Sequence, residues 1–153
     1  MSAELRELYK SLIIDHGLNP RHFGELPKAN RTAEGFNPFC GDKLTVYLQV
    51  NLDTDIIESI RFKGIACAIS FASASLMAEQ LHNKTLQEAQ ALFTAFHQHV
   101  TNHPHALENQ TKLGKLAALL GVRSFPSRIK CATLAWHALH SAINQADPII
   151  KTE

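Results

Sequence analysis

The chain has 153 residues, of which 45% are hydrophobic and 19% are charged. This length and composition are typical of one compact domain, so we expect residues 1–153 to share a single core. The formal net charge of +1 gives no indication of a surface that binds nucleic acid or an anionic membrane. No apolar run approaches the roughly 18 residues of a membrane span, and no basic-then-apolar leader opens the sequence. We therefore expect a cytoplasmic protein with no nucleic-acid partner and no membrane partner.

The first predicted element is a helix, because apolar residues recur at helical spacing from Leu5 to Ile13. Gly17 and Pro20 end this helix. Residues 19–38 contain three prolines and no periodic apolar pattern. We expect a loop over this stretch.

A small antiparallel sheet is predicted next. Apolar and polar residues alternate from Leu44 to Leu52, which places all five apolar residues of that run on one buried face. A turn at residues 53–55 then leads to a second strand from Ile57 to Lys63. The two strands form an antiparallel hairpin in this prediction.

The second half of the chain is predicted to be helical. The first of four predicted helices starts at Cys67, and the second runs from Thr85 to Val100 and opens with a capping box. A short helix follows over 111–121. The last helix follows Pro126, is capped by Ser127 and contains Cys131 in its first turn. Two strands followed by helices give an α+β fold, with a small antiparallel sheet and helices packed on one face.

Three cysteines lie where a predicted loop meets a predicted element. Cys40 precedes Gly41 at a turn, and Asp42 projects to the same side of an extended segment as Cys40. Cys67 and Cys131 fall at predicted helix N-termini, where backbone amides favour the thiolate over the thiol. Cysteines at such wide spacing in a reducing compartment are more often free or metal-bound than paired. Three thiolates and one carboxylate complete a tetrahedral zinc shell.

Local pattern leaves a second interpretation of these residues open. Buried cysteines also act as small hydrophobic side chains, and Asp42 also suits a turn cap. Four anionic ligands outweigh the charge of one zinc ion, so the metal interpretation requires nearby cations. Lys43 follows Asp42, and Arg128 and Lys130 flank Cys131. These cations either neutralise the site or lower the pKa of a sulfur nucleophile.

Four sequence blocks carry a resemblance to a known family. They are "DHGLNPRHFG", "NPFCGDKL", "GIACAIS" and "RIKCATLAW", in that order. Together they resemble the signature segments of the IscU/NifU-N iron-sulfur cluster assembly proteins, and of the SufU type in particular. The resemblance implies an α+β fold and one metal site with the ligands Cys40, Asp42, Cys67 and Cys131. That site holds Zn2+ in SufU-like proteins and a nascent cluster in the scaffold branch.

Two features favour the SufU branch within this resemblance. Scaffold-type relatives have a histidine immediately before the last cysteine, where this chain has Lys130. SufU-like proteins also have an insertion between the second and third cysteines, and "TKLGKLAALLGVRSFPSRIK" resembles it.

The resemblance implies that Cys40 accepts persulfide sulfur from a SufS-type, pyridoxal-phosphate-dependent cysteine desulfurase. The sulfur then goes to the downstream SUF cluster assembly machinery. In this hypothesis zinc stores the Cys40 thiolate until the desulfurase dislodges it, and Arg128 stabilises the sulfur anion. Two alternatives remain: a scaffold on which a [2Fe-2S] cluster or iron occupies the same ligands, and a zinc-stabilised interaction module. A hydrolytic zinc enzyme fits less well, because four protein ligands leave no open position.

The histidines suggest less. His97, His99, His103 and His105 form a dense group that is typical of a metal site, but they span a helix end and a proline-broken loop. We expect them to lie on a solvated surface. His16 is expected to make structural hydrogen bonds near the end of the first helix.

Overall fold

The structure is a computed structural model that describes residues 3–101, 104–144 and 149–151, without the side chains of Leu5, residues 104–112 and residues 149–151. The elements in chain order are α1 (Ala3–Leu18), β1 (Arg31–Asn37), β2 (Asp42–Val50), β3 (Ile57–Ile65), α2 (Ala68–Leu81), α3 (Leu86–Val100), a segment of 3₁₀ turns (Pro104–Ser124), α4 (Pro126–Asn144) and β4 (Ile149–Lys151). None of the helices in these ranges is long and apolar enough to cross a membrane.

The sheet has the strand order β3-β2-β1-β4, in which β1, β2 and β3 are antiparallel and β4 is parallel to β1. The β2–β3 hairpin and the α+β class are therefore confirmed. The prediction of a loop over residues 19–38 is wrong, because β1 lies within it. The inward positions of β1 are Ala33, Gly35 and Asn37, which lack the large apolar side chains that indicate a strand.

The core lies between one face of this sheet and helices α2 and α4. Alternate residues of β2 are buried, as predicted, but the pattern stops at Val50. Leu52 follows the end of the strand and is 70% exposed, so its predicted burial is wrong. Helix α4 approaches β1 closely, since a Cβ at Gly35 would lie only 3.0 Å from Leu134 Cδ1.

The capping box at the start of α3 is confirmed. The Glu88 backbone N–H donates to Thr85 Oγ1 at 3.1 Å, and the Thr85 N–H donates to Glu88 Oε1 at 3.1 Å. These two reciprocal bonds satisfy backbone donors that the first turn of a helix leaves free.

The predicted short helix over 111–121 is part of a longer run of 3₁₀ turns that ends at Ser124. Leu113, Leu116 and Leu119 recur every three residues and are all fully buried. A helix with three residues per turn places such positions on one side, which explains why this spacing packs as 3₁₀ turns.

The last helix begins two residues earlier than the predicted cap at Ser127 implies. Pro126 is its first residue, a position that suits proline because its missing N–H has no partner in the helix. Ser127 therefore lies inside the helix and does not cap it. Cys131 accordingly lies in the second turn, where its side chain is buried.

Candidate metal centre

A tight hairpin between β1 and β2 positions the first two candidate ligands. Asn37 pairs with Asp42 at the end of the ladder, and the Gly41 N–H donates to the Asn37 carbonyl at 2.8 Å. Gly41 has φ +78, in the left-handed region that favours glycine. The Phe39 N–H also donates to Asn37 Oδ1 at 3.1 Å. This hairpin exposes Cys40 at its tip and buries Asp42 as the first residue of β2.

Three candidate ligands converge at this hairpin. The Sγ atoms of Cys40 and Cys131 and a carboxylate oxygen of Asp42 all lie within 4.8 Å of one another. Thiolate sulfur and carboxylate oxygen are both ligands that zinc accepts, and thiolates also suit iron-sulfur clusters. Among the residues that the structure describes, no other set of three histidine, cysteine, aspartate or glutamate residues brings its ligand atoms this close together.

Cys67 lies beside the group, although its Sγ is not among the three converging atoms. It is the N-cap residue of α2, and its side chain makes no capping bond. Its backbone N–H donates to Asp42 Oδ1 at 3.0 Å. The structure thus brings three of the four predicted ligands together and joins the fourth to Asp42 through its backbone.

Ser70 is a site residue that the sequence patterns do not single out. It is fully buried in α2, and its hydroxyl donates to Asp42 Oδ2 at 2.7 Å. Ser70 Oγ also lies 3.1 Å from the Cys131 carbonyl oxygen and 3.5 Å from Cys67 Sγ. The only signal in the sequence is its position three residues after Cys67 on a helix, where the two side chains share a face. Small residues surround it in "ACAISFASAS", so a packing role is the ordinary interpretation.

The environment of Cys131 is poor for a free thiolate. Burial is the main cause that raises the pKa of its thiol, and the neighbouring Cys67, Cys40 and Asp42 raise it further. The expectation that a helix N-terminus favours its thiolate is therefore wrong, because Cys131 lies one turn too deep. A bound divalent cation would supply the missing positive charge, so this donor set fits a metal ion.

The predicted cations lie around the site in different ways. The Arg128 guanidinium is exposed and lies 4.4 Å from the centre of the Phe125 ring. Lys130 Nζ lies 5.0 Å from the centre of the Phe39 ring. Lys43 instead forms an ion pair with Glu34 at 2.9 Å. Arg128 and Lys130 thus each lie beside an aromatic ring, whereas Lys43 is paired with a carboxylate.

An open groove adjoins the candidate ligands. Its volume is about 410 Å3, and its lining residues are Asn37, Phe39, Cys40, Pro126, Ser127, Arg128, Lys130 and Cys131. Phe39 is 77% exposed at its edge. The groove therefore gives a partner access to the sulfur of Cys40.

The histidine group only partly follows the prediction. His99 is buried, with Nδ1 2.6 Å from the Ala95 carbonyl, so a solvated position for it is wrong. His97 is half-buried, with its ring centre 5.5 Å from that of His137 on α4. His103 and the side chain of His105 lie outside the described residues.

His16 makes the structural hydrogen bonds that we expect. Its buried ring places Nδ1 2.7 Å from Ser75 Oγ, and its Nε2 lies 3.6 Å from Glu79 Oε1. Burial lowers the pKa of the imidazole, which favours the neutral ring. His16 thus joins the end of α1 to α2.

Comparisons with known proteins agree with this geometry. Residues 8–132 match the family model described as the NifU-like N terminal domain. The chain is 40% identical to the iron-sulfur cluster assembly scaffold protein IscU of Streptococcus pyogenes serotype M1, over 94% of this chain and 87% of that protein. It is 38% identical to the zinc-dependent sulfurtransferase SufU of Bacillus subtilis strain 168, over 93% of each chain.

A solved structure shows the same similarity at the level of the fold. An iron-sulfur cluster assembly scaffold protein for the SUF system, from Fervidobacterium islandicum AW-1, superposes with a TM-score of 0.78. Its sequence is 30% identical, and the match covers 93% of this chain and 99% of that chain.

Proposed function

Because the chain belongs to the family of the NifU-like N-terminal domain, we propose that it acts in iron-sulfur cluster assembly as a zinc-dependent sulfurtransferase of the SUF type. The observation that carries this proposal is an exposed thiol, Cys40, next to two buried candidate ligands, Asp42 and Cys131. A purely structural metal site has no need of an exposed sulfur beside an open groove.

Cys40, Asp42, Cys67 and Cys131 would hold the zinc ion, and bound zinc would keep cysteine sulfur in its thiolate form at neutral pH. Cys67 already contacts Asp42 through its backbone, and its side chain is free of any capping bond. It is therefore the group best placed to complete the ligand set.

Sulfur transfer uses the exposed position of Cys40. Its thiolate attacks the terminal sulfur of a persulfide on a cysteine desulfurase of the SufS type. The bond between the two desulfurase sulfurs breaks, and the desulfurase cysteine leaves as a thiolate. Cys40 then carries the terminal sulfur as its own persulfide, so electrons and atoms balance without an oxidant or a reductant. Release to the downstream SUF machinery reverses the same chemistry.

Arg128 and Lys130 assist in this scheme by their charge. Both line the groove that contains Cys40, and the Phe125 and Phe39 rings lie beside them. Their positive charge stabilises the persulfide anion that forms on Cys40. Arg128 is the residue that we assign to the sulfur anion.

The test is stimulation of a SufS-type desulfurase, measured as alanine released from cysteine. Cys40→Ser should abolish the stimulation and leave the basal turnover of the desulfurase intact. Asp53→Ala is the matched control, because it changes an exposed residue in the turn at the opposite end of β2 and should stimulate like the wild type. Full stimulation by Cys40→Ser would show that the sulfur acceptor lies elsewhere.

A scaffold role is the second candidate function. It is favoured by the similarity to IscU of S. pyogenes, which is named as a scaffold protein. Anaerobic reconstitution with iron and sulfide separates the two roles. A scaffold should form a stable [2Fe-2S] chromophore on the same ligands, whereas a zinc-dependent sulfur carrier should form little.

A further inference from the structure

Asp42 is held at both of its carboxylate oxygens. Its Oδ1 accepts the Cys67 backbone N–H at 3.0 Å, and its Oδ2 accepts the Ser70 hydroxyl at 2.7 Å. A carboxylate oxygen has room for about two hydrogen bonds or ligand contacts. Each oxygen therefore keeps a free position for a metal while its hydrogen bond fixes the plane of the carboxylate.

Ser70 joins three parts of the candidate metal centre. Besides Asp42 on the sheet, its hydroxyl contacts the Cys131 carbonyl on α4 at 3.1 Å. It also lies 3.5 Å from Cys67 Sγ at the start of its own helix. Because Ser70 is fully buried, water does not offer these groups an equal replacement. The Ser70 hydroxyl thus contacts Asp42, Cys67 and Cys131, the three candidate ligand residues other than Cys40.

We propose that Ser70 is a positioning residue of the metal site, whose hydroxyl orients the Asp42 carboxylate toward the sulfurs of Cys40 and Cys131. This inference rests on the proposed function for the identity of the metal, zinc. Hydrogen-bond partners of metal ligands typically contribute 10- to 100-fold to metal affinity, because they reduce the rearrangement that binding requires.

Ser73 provides a matched comparison one turn further along α2. It is also fully buried, and its hydroxyl also donates to a carbonyl of α4, that of Ala132. It accepts a hydrogen bond from Trp136 Nε1 at 3.1 Å. Within the described residues, however, Ser73 forms no hydrogen bond with Asp42. Ser73 therefore shares the buried packing of Ser70 but not its contact with a candidate ligand.

The experiment compares Ser70→Ala, Ser73→Ala and Ser70→Thr in the full chain. Zinc affinity is measured by competition with a chelator of known affinity, and thermal unfolding is measured in parallel. We expect Ser70→Ala to weaken zinc binding by about 10- to 100-fold. Ser73→Ala should stay within about twofold of wild type in zinc affinity, although it leaves Trp136 without a partner and lowers the melting temperature. Ser70→Thr should recover most of the affinity, because it restores the hydroxyl.

Three results would overturn the assignment of Ser70. They are an unchanged zinc affinity in Ser70→Ala, an equal loss in Ser73→Ala, and a folded Ser70→Thr that binds zinc no better than Ser70→Ala. Asp42→Ala separates these results from a failure of the proposed function. If the wild type binds no more zinc than Asp42→Ala, the proposed zinc site and the role of Ser70 are both wrong. If the wild type binds zinc tightly and Ser70→Ala equals it, only the role of Ser70 is wrong.

Discussion

At the residue scale, Gly64 allows β3 to approach β2 closely at the open end of their hairpin, where Gly64 pairs with Leu44. It has φ +150, and a Cβ there would lie 1.9 Å from the Lys43 carbonyl oxygen. Lys43 is the neighbour of Asp42, so the strain would fall beside the candidate metal ligands. We expect Gly64→Ala to lower the free energy of unfolding by about 3 kcal/mol or more, measured by urea denaturation.

Gly121→Ala is the control for this substitution. Nothing lies within 4 Å of a Cβ at that position, so the change in unfolding free energy should be within about 0.5 kcal/mol. A stable Gly64→Ala protein would contradict the close approach of β3 to the Lys43 carbonyl.

Individual residues also show how far the sequence predicts the site. Because few types of side chain bind metals, the sequence alone indicates Cys40, Asp42 and Cys131 as candidate ligands, and the structure places these three together. The sequence does not indicate Ser70 in this way. A serine among small helical residues gives the same sequence pattern whether it packs in the core or orients a ligand. The sequence also does not predict the raised pKa of Cys131. The helix starts at Pro126, so the thiol lies in the second turn, where it is buried.

At the scale of elements, the α3–α4 interface contains a half-buried histidine, His137, whose protonation opposes folding. Burial first, and then the charges of His97 on α3 and His140 on α4, lower the pKa of His137 to about 4. An unfolded histidine has its pKa near 6.5, so the unfolded chain binds more protons between these two values. Stability is therefore present above about pH 6.5 and is lost as the pH falls toward 4.

We expect the wild type to lose roughly 1–2 kcal/mol more than His137→Gln between pH 7 and pH 5, after allowing for the partial exposure of the ring. The measurement is the free energy of unfolding in urea at both pH values. Gln90→Ala is the control, because it removes the 3.0 Å contact between Gln90 and Asn144 across the same helices without removing a titrating group. Its loss of stability should be the same at both pH values. Equal pH dependence in the wild type and His137→Gln would rule out His137 as the cause.

The sequence predicts those elements whose own residues form a local pattern. It does not predict an element that depends on packing against distant parts of the chain. The apolar alternation of β2 and the capping box at Thr85 are local, and both are confirmed. Strand β1 has Gly35 facing inward because Leu134 of α4 leaves no room for a Cβ, and this cause lies about 100 residues away along the chain. Distant packing of this kind leaves no periodic signal in the strand itself.

At the scale of the whole molecule, the candidate ligands come from three separate parts of the fold. Cys40 and Asp42 lie at the β1–β2 hairpin, Cys67 immediately precedes α2, and Cys131 lies in α4. A metal bound by these residues would therefore join the sheet to two helices that are distant in sequence. Such a link stabilises the folded chain by mass action, because the unfolded chain does not hold the ligands together.

We therefore expect zinc at about 100 times its dissociation constant to add about 2.7 kcal/mol to the free energy of unfolding. For a chain of this size, that corresponds to a rise in melting temperature of roughly 5–10 °C. The measurement is thermal unfolding of the metal-free protein with and without added zinc. Cys131→Ser should lose most of the rise, since it removes the ligand that ties α4 to the hairpin. Magnesium should produce none, because it prefers oxygen ligands to thiolates. A rise that persists in Cys131→Ser, or that magnesium reproduces, would mean that the stabilising ion binds away from the three cysteines.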